Sequence, residues 1–194
     1  MSESVSFDPF PVFLRLEGRP VLLVGAGPLA AGKLQSLLPA GARVTVVAPE
    51  VSEAVERSPV AIRRRPFRAE DLDGAWFAVA AATSEVNRAV AAAAEARRIF
   101  VNAVDDLGAA SAWLPGVVRK GGVAVAVSTG ARAPALAGLL REALEVVLPD
   151  DLPGWLQLAQ SLRREQREAG VPIAHRRPLL LRALTNLYAS RNAP

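Results

Sequence analysis

The sequence has no cysteine and only one histidine, His175. Without cysteine the chain can form no disulfide, no thiolate metal site and no cysteine nucleophile, and one histidine gives little support to a resident metal. Aromatic residues make up only 5% of the chain, so alanine, valine and leucine are expected to build the core. Residues 1–8 lack the basic start of a signal peptide, and no apolar run approaches the roughly 20 residues of a membrane helix. We therefore expect a soluble cytoplasmic protein with no membrane partner.

Positive charge is concentrated in two parts of the chain. The formal net charge is only +4, but arginines cluster at 63–65 and again between 163 and 191. The chain shows neither a nucleic-acid-binding motif nor aromatic residues interleaved with these arginines, so nucleic acid is not an expected partner. The clusters indicate either a solvated surface or a surface that receives a polyanionic small molecule.

An apolar strand pattern runs directly into a glycine turn near the start of the chain. Residues 21–24 are all valine or leucine, and G-x-G-x-x-A follows at Gly25, Gly27 and Ala30 before a helical pattern. In dinucleotide-binding proteins the first glycine permits the sharp turn and the second lets a pyrophosphate approach the backbone, while a small third residue allows close helix–strand packing. The segment therefore predicts a dinucleotide site, and a tight turn in some other α/β protein is the alternative.

Strand and helix patterns then alternate as far as residue 104. A helix at 85–98 follows Ser84, which can cap it. Such alternation with short turns is typical of a parallel sheet with helices on both faces. The predicted fold class is therefore α/β, with an N-terminal Rossmann-type parallel sheet. Its strands are expected at residues 21–24, 43–48, 60–67, 75–81 and 99–104.

The pattern changes in the second part of the chain. Two β segments, 117–119 and 123–128, are joined across Gly121-Gly122 and predict a hairpin. A helix with an apolar stripe is expected from Pro134 to about Leu148. This small unit cannot bury its apolar faces alone, so it predicts a homodimer.

Two further helices, at 152–169 and from Pro178 to 190, are predicted to complete the chain. The expected division is a dinucleotide-binding domain at 1–112, a dimerisation region at 113–149 and a helical C-terminal module at 150–194.

Several segments of the sequence occur in the order and spacing of one known family. They are G-A-G-P-L-A at 25–30, V-V-A-P-E at 46–50, A-A-T at 81–83, V-N-A-V-D-D at 101–106, A-V-S-T-G at 126–130 and L-L-R-E at 139–142. With these segments the sequence resembles, across residues 9–165, the precorrin-2 dehydrogenase/sirohydrochlorin ferrochelatase family, the dehydrogenase module of siroheme synthases. The glycine turn is unspecific, but the combination of N-x-V-D with A-V-S-T-G is fairly specific to the family.

The resemblance implies a reaction and its partners. Precorrin-2, a tetrapyrrole polycarboxylate, would lose a hydride to NAD and a proton to a base, giving sirohydrochlorin, and some family members then insert ferrous iron. The resemblance implies that Asp105, at the end of the fifth strand, is the catalytic carboxylate. The alternative is that Asp105 or Asp106 only caps the next turn, and Asp106 is the better turn residue.

The motifs and the resemblance together imply which residues contact the ligands. Ser128 is expected to contact the substrate, and Arg132 is expected to hold a carboxylate or to be an ordinary solvated residue. This chain has Gly130-Ala131-Arg132-Ala133-Pro134 where the family usually has G-G-x-S-P, which weakens the assignment of that loop. The expected cofactor contacts are Gly25, Gly27, Pro28, Leu29, Pro49, Glu50, Ala82, Thr83 and Asn102.

Many NAD sites have an acid at the end of the second strand, whereas here Ala48 and Pro49 come first and Glu50 follows. NAD is favoured over NADP because no arginine lies at that strand end. A non-catalytic NAD(H)-binding redox-sensing module is the alternative function, but it would leave Asp105 and the hairpin without a role. A different NAD enzyme on this scaffold would need a catalytic His, Lys or Tyr near the nicotinamide.

Overall fold

A computed structural model describes residues 9–130 and 132–191 of the chain. Residues 1–8, on which the expectation of no signal peptide depends, lie outside the described residues, as does Ala131. The chain divides after Leu114 into two compact units.

A five-stranded sheet with the order β3-β2-β1-β4-β5 forms the first unit. All neighbouring strands are parallel, so the predicted Rossmann-type sheet is confirmed. The order reverses between β1 and β4, and ligands of such sheets bind beside the carboxyl ends of the strands at this point. The strands are β1 (Pro20–Val24), β2 (Arg43–Val47), β3 (Ala61–Arg63), β4 (Phe77–Ala80) and β5 (Phe100–Ala103).

Helices cover both faces of this sheet. The long helices are α1 (Pro28–Leu37) and α3 (Ser84–Glu95), and the sequence patterns missed the short α2 (Glu53–Glu56) and a 3₁₀ helix at Ala69–Leu72. The expected cap at Ser84 is wrong. Thr83 is the extended residue before α3 and its hydroxyl accepts a hydrogen bond from the Val86 amide at 3.5 Å, whereas Ser84 is already helical.

The central strand β1 shows why the sequence of a strand in the first unit is a continuous apolar segment. Val21 and Leu23 face a core that contains Leu34 of α1, while Leu22 and Val24 face a core that contains Val90 of α3. A strand covered on both faces needs apolar residues at every position, so it carries no alternating pattern.

The second unit begins with the predicted hairpin. Strands β6 (Gly116–Lys120) and β7 (Val123–Val127) are antiparallel, and the turn glycines 121 and 122 have φ of +57° and +82°. Both values lie in the left-handed region that this type of tight turn requires, which explains the glycine pair.

Three helices follow the hairpin: α4 (Pro134–Val147), α5 (Leu152–Glu168) and α6 (Ile173–Arg191). The expectation that the last helix begins at Pro178 is wrong, because the helix starts at Ile173 and contains the proline. Pro178 removes one amide donor, but α6 continues through it for about three more turns. None of the helices in the described part of the chain is long and apolar enough to cross a membrane.

Candidate functional site

The turn between β1 and α1 requires glycine at its first position. Gly25 has φ of +104°, and a Cβ added there would lie 2.2 Å from the carbonyl oxygen of Ala81. Its amide donates to the Val47 carbonyl at 2.9 Å. Gly25 therefore joins the ends of three neighbouring strands, and any side chain would push them apart.

Gly27 differs, because the fold itself does not need a glycine there. Its φ is −82°, and no atom of the described residues lies within 4 Å of the position that its Cβ would occupy. Ala31 makes the first bond of α1, donating to the Gly27 carbonyl at 3.0 Å, so the amides of Leu29 and Ala30 lie ahead of the helix ladder. Open space beside the free amides of a helix start is the geometry that receives a phosphate.

Most of the expected cofactor residues lie at the same sheet edge. The register aligns Val24 with both Val47 and Ala80, so the segments that follow β1, β2 and β4 leave the sheet together. Of the expected contacts on these segments, Gly25 is buried and Gly27 is partly buried. The other six are exposed: Pro28, Leu29, Pro49, Glu50, Ala82 and Thr83. These residues could line a dinucleotide crevice where the strand order reverses.

A buried asparagine that the motifs missed holds two of the edge loops. Asn87 of α3 is 2% exposed, its Oδ1 accepts from the Ala82 amide at 3.0 Å, and its Nδ2 donates to the Val104 carbonyl at 3.2 Å. The loops after β4 and β5 are thus fixed to one side chain. The available signal was a polar residue in register with Val90, Ala91 and Ala94 on the buried face of α3.

Asn102 has a different arrangement within β5. It is buried, and its Nδ2 donates to the Ala112 carbonyl at 3.0 Å. Its Oδ1 has no hydrogen-bond partner among the described residues. The side-chain amide of Asn102 therefore holds the segment that follows β5. Among the described residues its Oδ1 stays without a partner, at the strand position that pairs with Val79 of β4.

The two aspartates after β5 are in different environments. Asp106 Oδ1 accepts from the Ala109 amide at 3.1 Å and so shapes the turn. Asp105 is exposed, has φ of +60°, and makes no hydrogen bond or ion pair with the described part of the chain. The turn role thus belongs to Asp106, and the Asp105 carboxylate is available at the carboxyl edge of the sheet.

Ser128 and Arg132 lie in the second unit, on the loop between β7 and α4. The Ser128 hydroxyl accepts from the Gly130 amide at 3.2 Å, and Thr129 Oγ1 accepts from the Ala133 amide at 3.1 Å. Arg132 Nε donates to the Thr129 carbonyl at 3.2 Å. Both expected substrate residues are exposed on a loop that its own hydrogen bonds hold together.

The arginines at 63–65 form ion pairs with carboxylates. Asp71 accepts from Arg63 Nη1 at 2.7 Å and from both terminal nitrogens of Arg65, while Arg64 pairs with Glu56. The hydrogen bond from Arg65 lowers the pKa of the Asp71 carboxyl to about 2. This first arginine cluster is therefore a network of ion pairs rather than free charge. No group of three or more His, Asp or Glu within the described ranges could hold a metal ion.

Comparison with known proteins identifies the family. Residues 12–116 match the family model described as "Putative NAD(P)-binding". The chain is 40% identical over 175 residues to a siroheme synthase 3 of Aeromonas hydrophila and 39% identical to a siroheme synthase of Salmonella typhi, covering 88% of this chain in both cases. It spans only 37% and 38% of those two relatives.

A solved structure described as SirC, precorrin-2 dehydrogenase, aligns with a TM-score of 0.66 and 25% identity. The alignment covers 90% of this chain and 88% of that one, so it extends over both compact units. The chain therefore belongs to this NAD(P)-binding family, and its resemblance to the dehydrogenase module of siroheme synthases is confirmed.

Proposed function

We propose that this protein oxidises precorrin-2 to sirohydrochlorin with NAD as the hydride acceptor. The observation that carries the proposal is the likeness to a precorrin-2 dehydrogenase over 90% of the chain, combined with an open glycine turn at the strand-order reversal. In the balanced reaction, precorrin-2 transfers a hydride to NAD⁺ and releases one proton, which yields sirohydrochlorin and NADH.

The chain's own residues support binding of NAD. The open side of Gly27 leaves room for a pyrophosphate, and the amides of Leu29 and Ala30 can donate to it. Glu50 follows β2, where a carboxylate favours ribose hydroxyls and repels a 2′-phosphate. Arg63 lies beside Val47 in the register, but its guanidinium is bound to Asp71. NAD is therefore preferred to NADP. When bound, the nicotinamide accepts the hydride.

Asp105 is the base that we assign to the released proton. Its carboxylate is exposed at the edge where the ligand would lie, and the neighbouring Asp106 already serves the turn. A positioned base of this kind typically contributes about 10²–10⁴-fold to the rate. The same carboxylate could accept pyrrole protons if ferrous iron is inserted afterwards, a second step that some family members perform.

We assign the second unit to dimerisation and to substrate contact. Helix α4 packs on the hairpin yet exposes a row of large apolar side chains, which a second copy of the chain would cover. Ser128 and Arg132 would then hydrogen-bond substrate carboxylates. We keep 1–112, 113–149 and 150–194 as the functional division. The exposed residues of α4 are Leu136, Leu139, Leu140, Val146 and Val147.

One experiment separates this function from its alternative. Purified protein is mixed with precorrin-2 and NAD⁺, NADH absorbance is followed, and ferrous iron is then added while the siroheme spectrum is recorded. We expect NADH and sirohydrochlorin to form in equal amounts. Binding of NAD without turnover would reject the dehydrogenase in favour of the redox-sensing module, and iron insertion would be read separately from the second phase.

A further inference from the structure

The C-terminal helices carry the second arginine cluster. Between residues 152 and 191 the sequence has seven arginines and no lysine, against only two acidic residues, Glu165 and Glu168. This excess is larger than the net charge of +4 of the whole chain, so the rest of the molecule is close to neutral. The positive potential of the protein therefore originates mainly from α5 and α6.

Three of these arginines lie together on the surface of α5. Arg163, Arg164 and Arg167, together with Gln160 and Glu168, line an open surface groove along this helix. Arg167 lies three residues after Arg164 and four after Arg163, so all three lie towards one face of the helix. We name Arg163, Arg164 and Arg167 the α5 arginine stripe. Leu152 and Gln166 of the same helix are buried, so the stripe runs beside the packed face of α5.

Among the described residues the stripe forms no ion pair, unlike the other arginine clusters. Arg63, Arg64, Arg65 and Arg97 all pair with carboxylates, as does Arg141 in the second unit. No ion pair within residues 9–130 and 132–191 includes a member of the stripe, and all three side chains are exposed.

Helix-dipole stabilisation does not explain the stripe. Arg167 lies in the last turn of α5, where a cation is favourable, but Arg163 lies before that turn. Arg163 and Arg167 are like charges four residues apart, a spacing that destabilises a helix, and no ion pair among the described residues offsets it. An arginine presents parallel N–H donors that fit a carboxylate, and a row of them fits a ligand with several carboxylates.

We propose that the α5 arginine stripe binds the carboxylates of a polycarboxylate macrocycle. The proposal rests on the proposed function for the identity of that macrocycle, because precorrin-2 is a polycarboxylate. It adds the residues that recognise the substrate class.

The test uses uroporphyrin, a stable fluorescent macrocycle that carries as many carboxylates as precorrin-2. The whole protein is titrated with it, and fluorescence reports the dissociation constant for the parent and for the double variant Arg163→Gln/Arg167→Gln. Glutamine has a helix propensity close to that of arginine, and circular dichroism checks that the variant folds. We expect about tenfold weaker binding, since charge-assisted hydrogen bonds at an exposed site are lost.

A second double variant, Arg15→Gln/Arg57→Gln, is the matched control. It removes the same charge from two exposed arginines of the first unit that pair with Glu17 and Glu53. We expect its binding to change by less than about twofold, because diffuse attraction by net charge is weak and screened by salt. Equal losses in the two variants, or no binding of uroporphyrin by the parent, would overturn the proposal.

Two further readouts separate this inference from the function. With precorrin-2 as substrate, the stripe variant should raise KM while the affinity for NAD stays at the parent value. If the parent oxidises precorrin-2 and the stripe variant has the parent's KM and uroporphyrin affinity, the inference fails and the function stands. If the parent does not oxidise precorrin-2 but the stripe variant binds uroporphyrin more weakly than the parent, the proposed function fails and the inference about the stripe stands.

A short DNA duplex tests the assigned class of ligand. If the duplex binds more tightly than uroporphyrin, and this binding depends on the stripe, the assigned ligand class is overturned.

Discussion

Replacing Asp71 by asparagine tests the ion-pair network beside β3. The Asp71 side chain is 2% exposed and accepts four hydrogen bonds: from Arg63 at 2.7 Å, from Arg65 at 2.8 and 2.5 Å, and from the Arg68 amide at 2.9 Å. The substitution Asp71→Asn would keep the shape of the side chain but remove its charge and one acceptor. Arg63 and Arg65 would then have no carboxylate at this position.

The magnitude follows from the pKa of the carboxyl. The hydrogen bond from Arg65 is the largest cause that lowers this pKa from 3.8 to about 2, against the opposing effect of burial. Each pKa unit is worth about 1.4 kcal/mol, so the ionised carboxylate stabilises the fold by about 2 kcal/mol. Because the folded pKa is the lower one, this stabilisation is complete above about pH 4 and is lost as the pH falls through about 2.

The assay is urea unfolding followed by circular dichroism, on the parent and the Asp71→Asn variant, from neutral pH down to about pH 2. We expect a free energy of unfolding about 2 kcal/mol lower at neutral pH, with a difference that shrinks below about pH 4. The control is Asp73→Asn, whose Arg97 partner lies 2.8 Å away and whose own side chain is 65% exposed. It should cost less than about 1 kcal/mol. Equal effects of the two substitutions, or a pH-independent difference, would refute the reasoning.

Three other predictions concern the site and the assembly. Gly27→Val should abolish NAD binding in calorimetry and leave the fold intact, because the valine side chain would occupy the open space beside the turn. Gly25→Ala should instead destabilise the fold, because the added Cβ would meet Ala81. Unchanged NAD affinity in folded Gly27→Val would remove the site assignment. Asp105→Ala should keep NAD affinity and slow sirohydrochlorin formation by about 10²–10⁴-fold, while Asp106→Ala loses far less activity; parent rates in Asp105→Ala would reject the base. Sedimentation at micromolar concentration should show a dimer that Leu139→Asp weakens, and a monomeric parent would contradict the assembly.

Prediction from local patterns succeeded where each element depends on its own residues. The strand at 21–24 needs only a continuous apolar run. The glycine turn and the Gly121-Gly122 hairpin need only glycines at positions with a left-handed backbone. Apolar runs and glycines are both visible in the sequence. The parallel sheet follows from the alternation of strands and helices. Short elements such as α2 and the 3₁₀ helix at Ala69–Leu72 escaped because they span only four residues each, less than a hydrophobic period needs to be visible.

The sequence alone was enough for the fold class, the position of the glycine turn and the family, since each of these depends on short motifs of residues that are close together along the chain. Contacts between distant residues determined the rest. Only the folded chain brings Asn87 to the loops after β4 and β5 and pairs Arg65 with Asp71. It also leaves the α5 arginines without an ion pair among the described residues. The free charge of an arginine depends on which carboxylates the fold places within reach, and linear spacing does not record that.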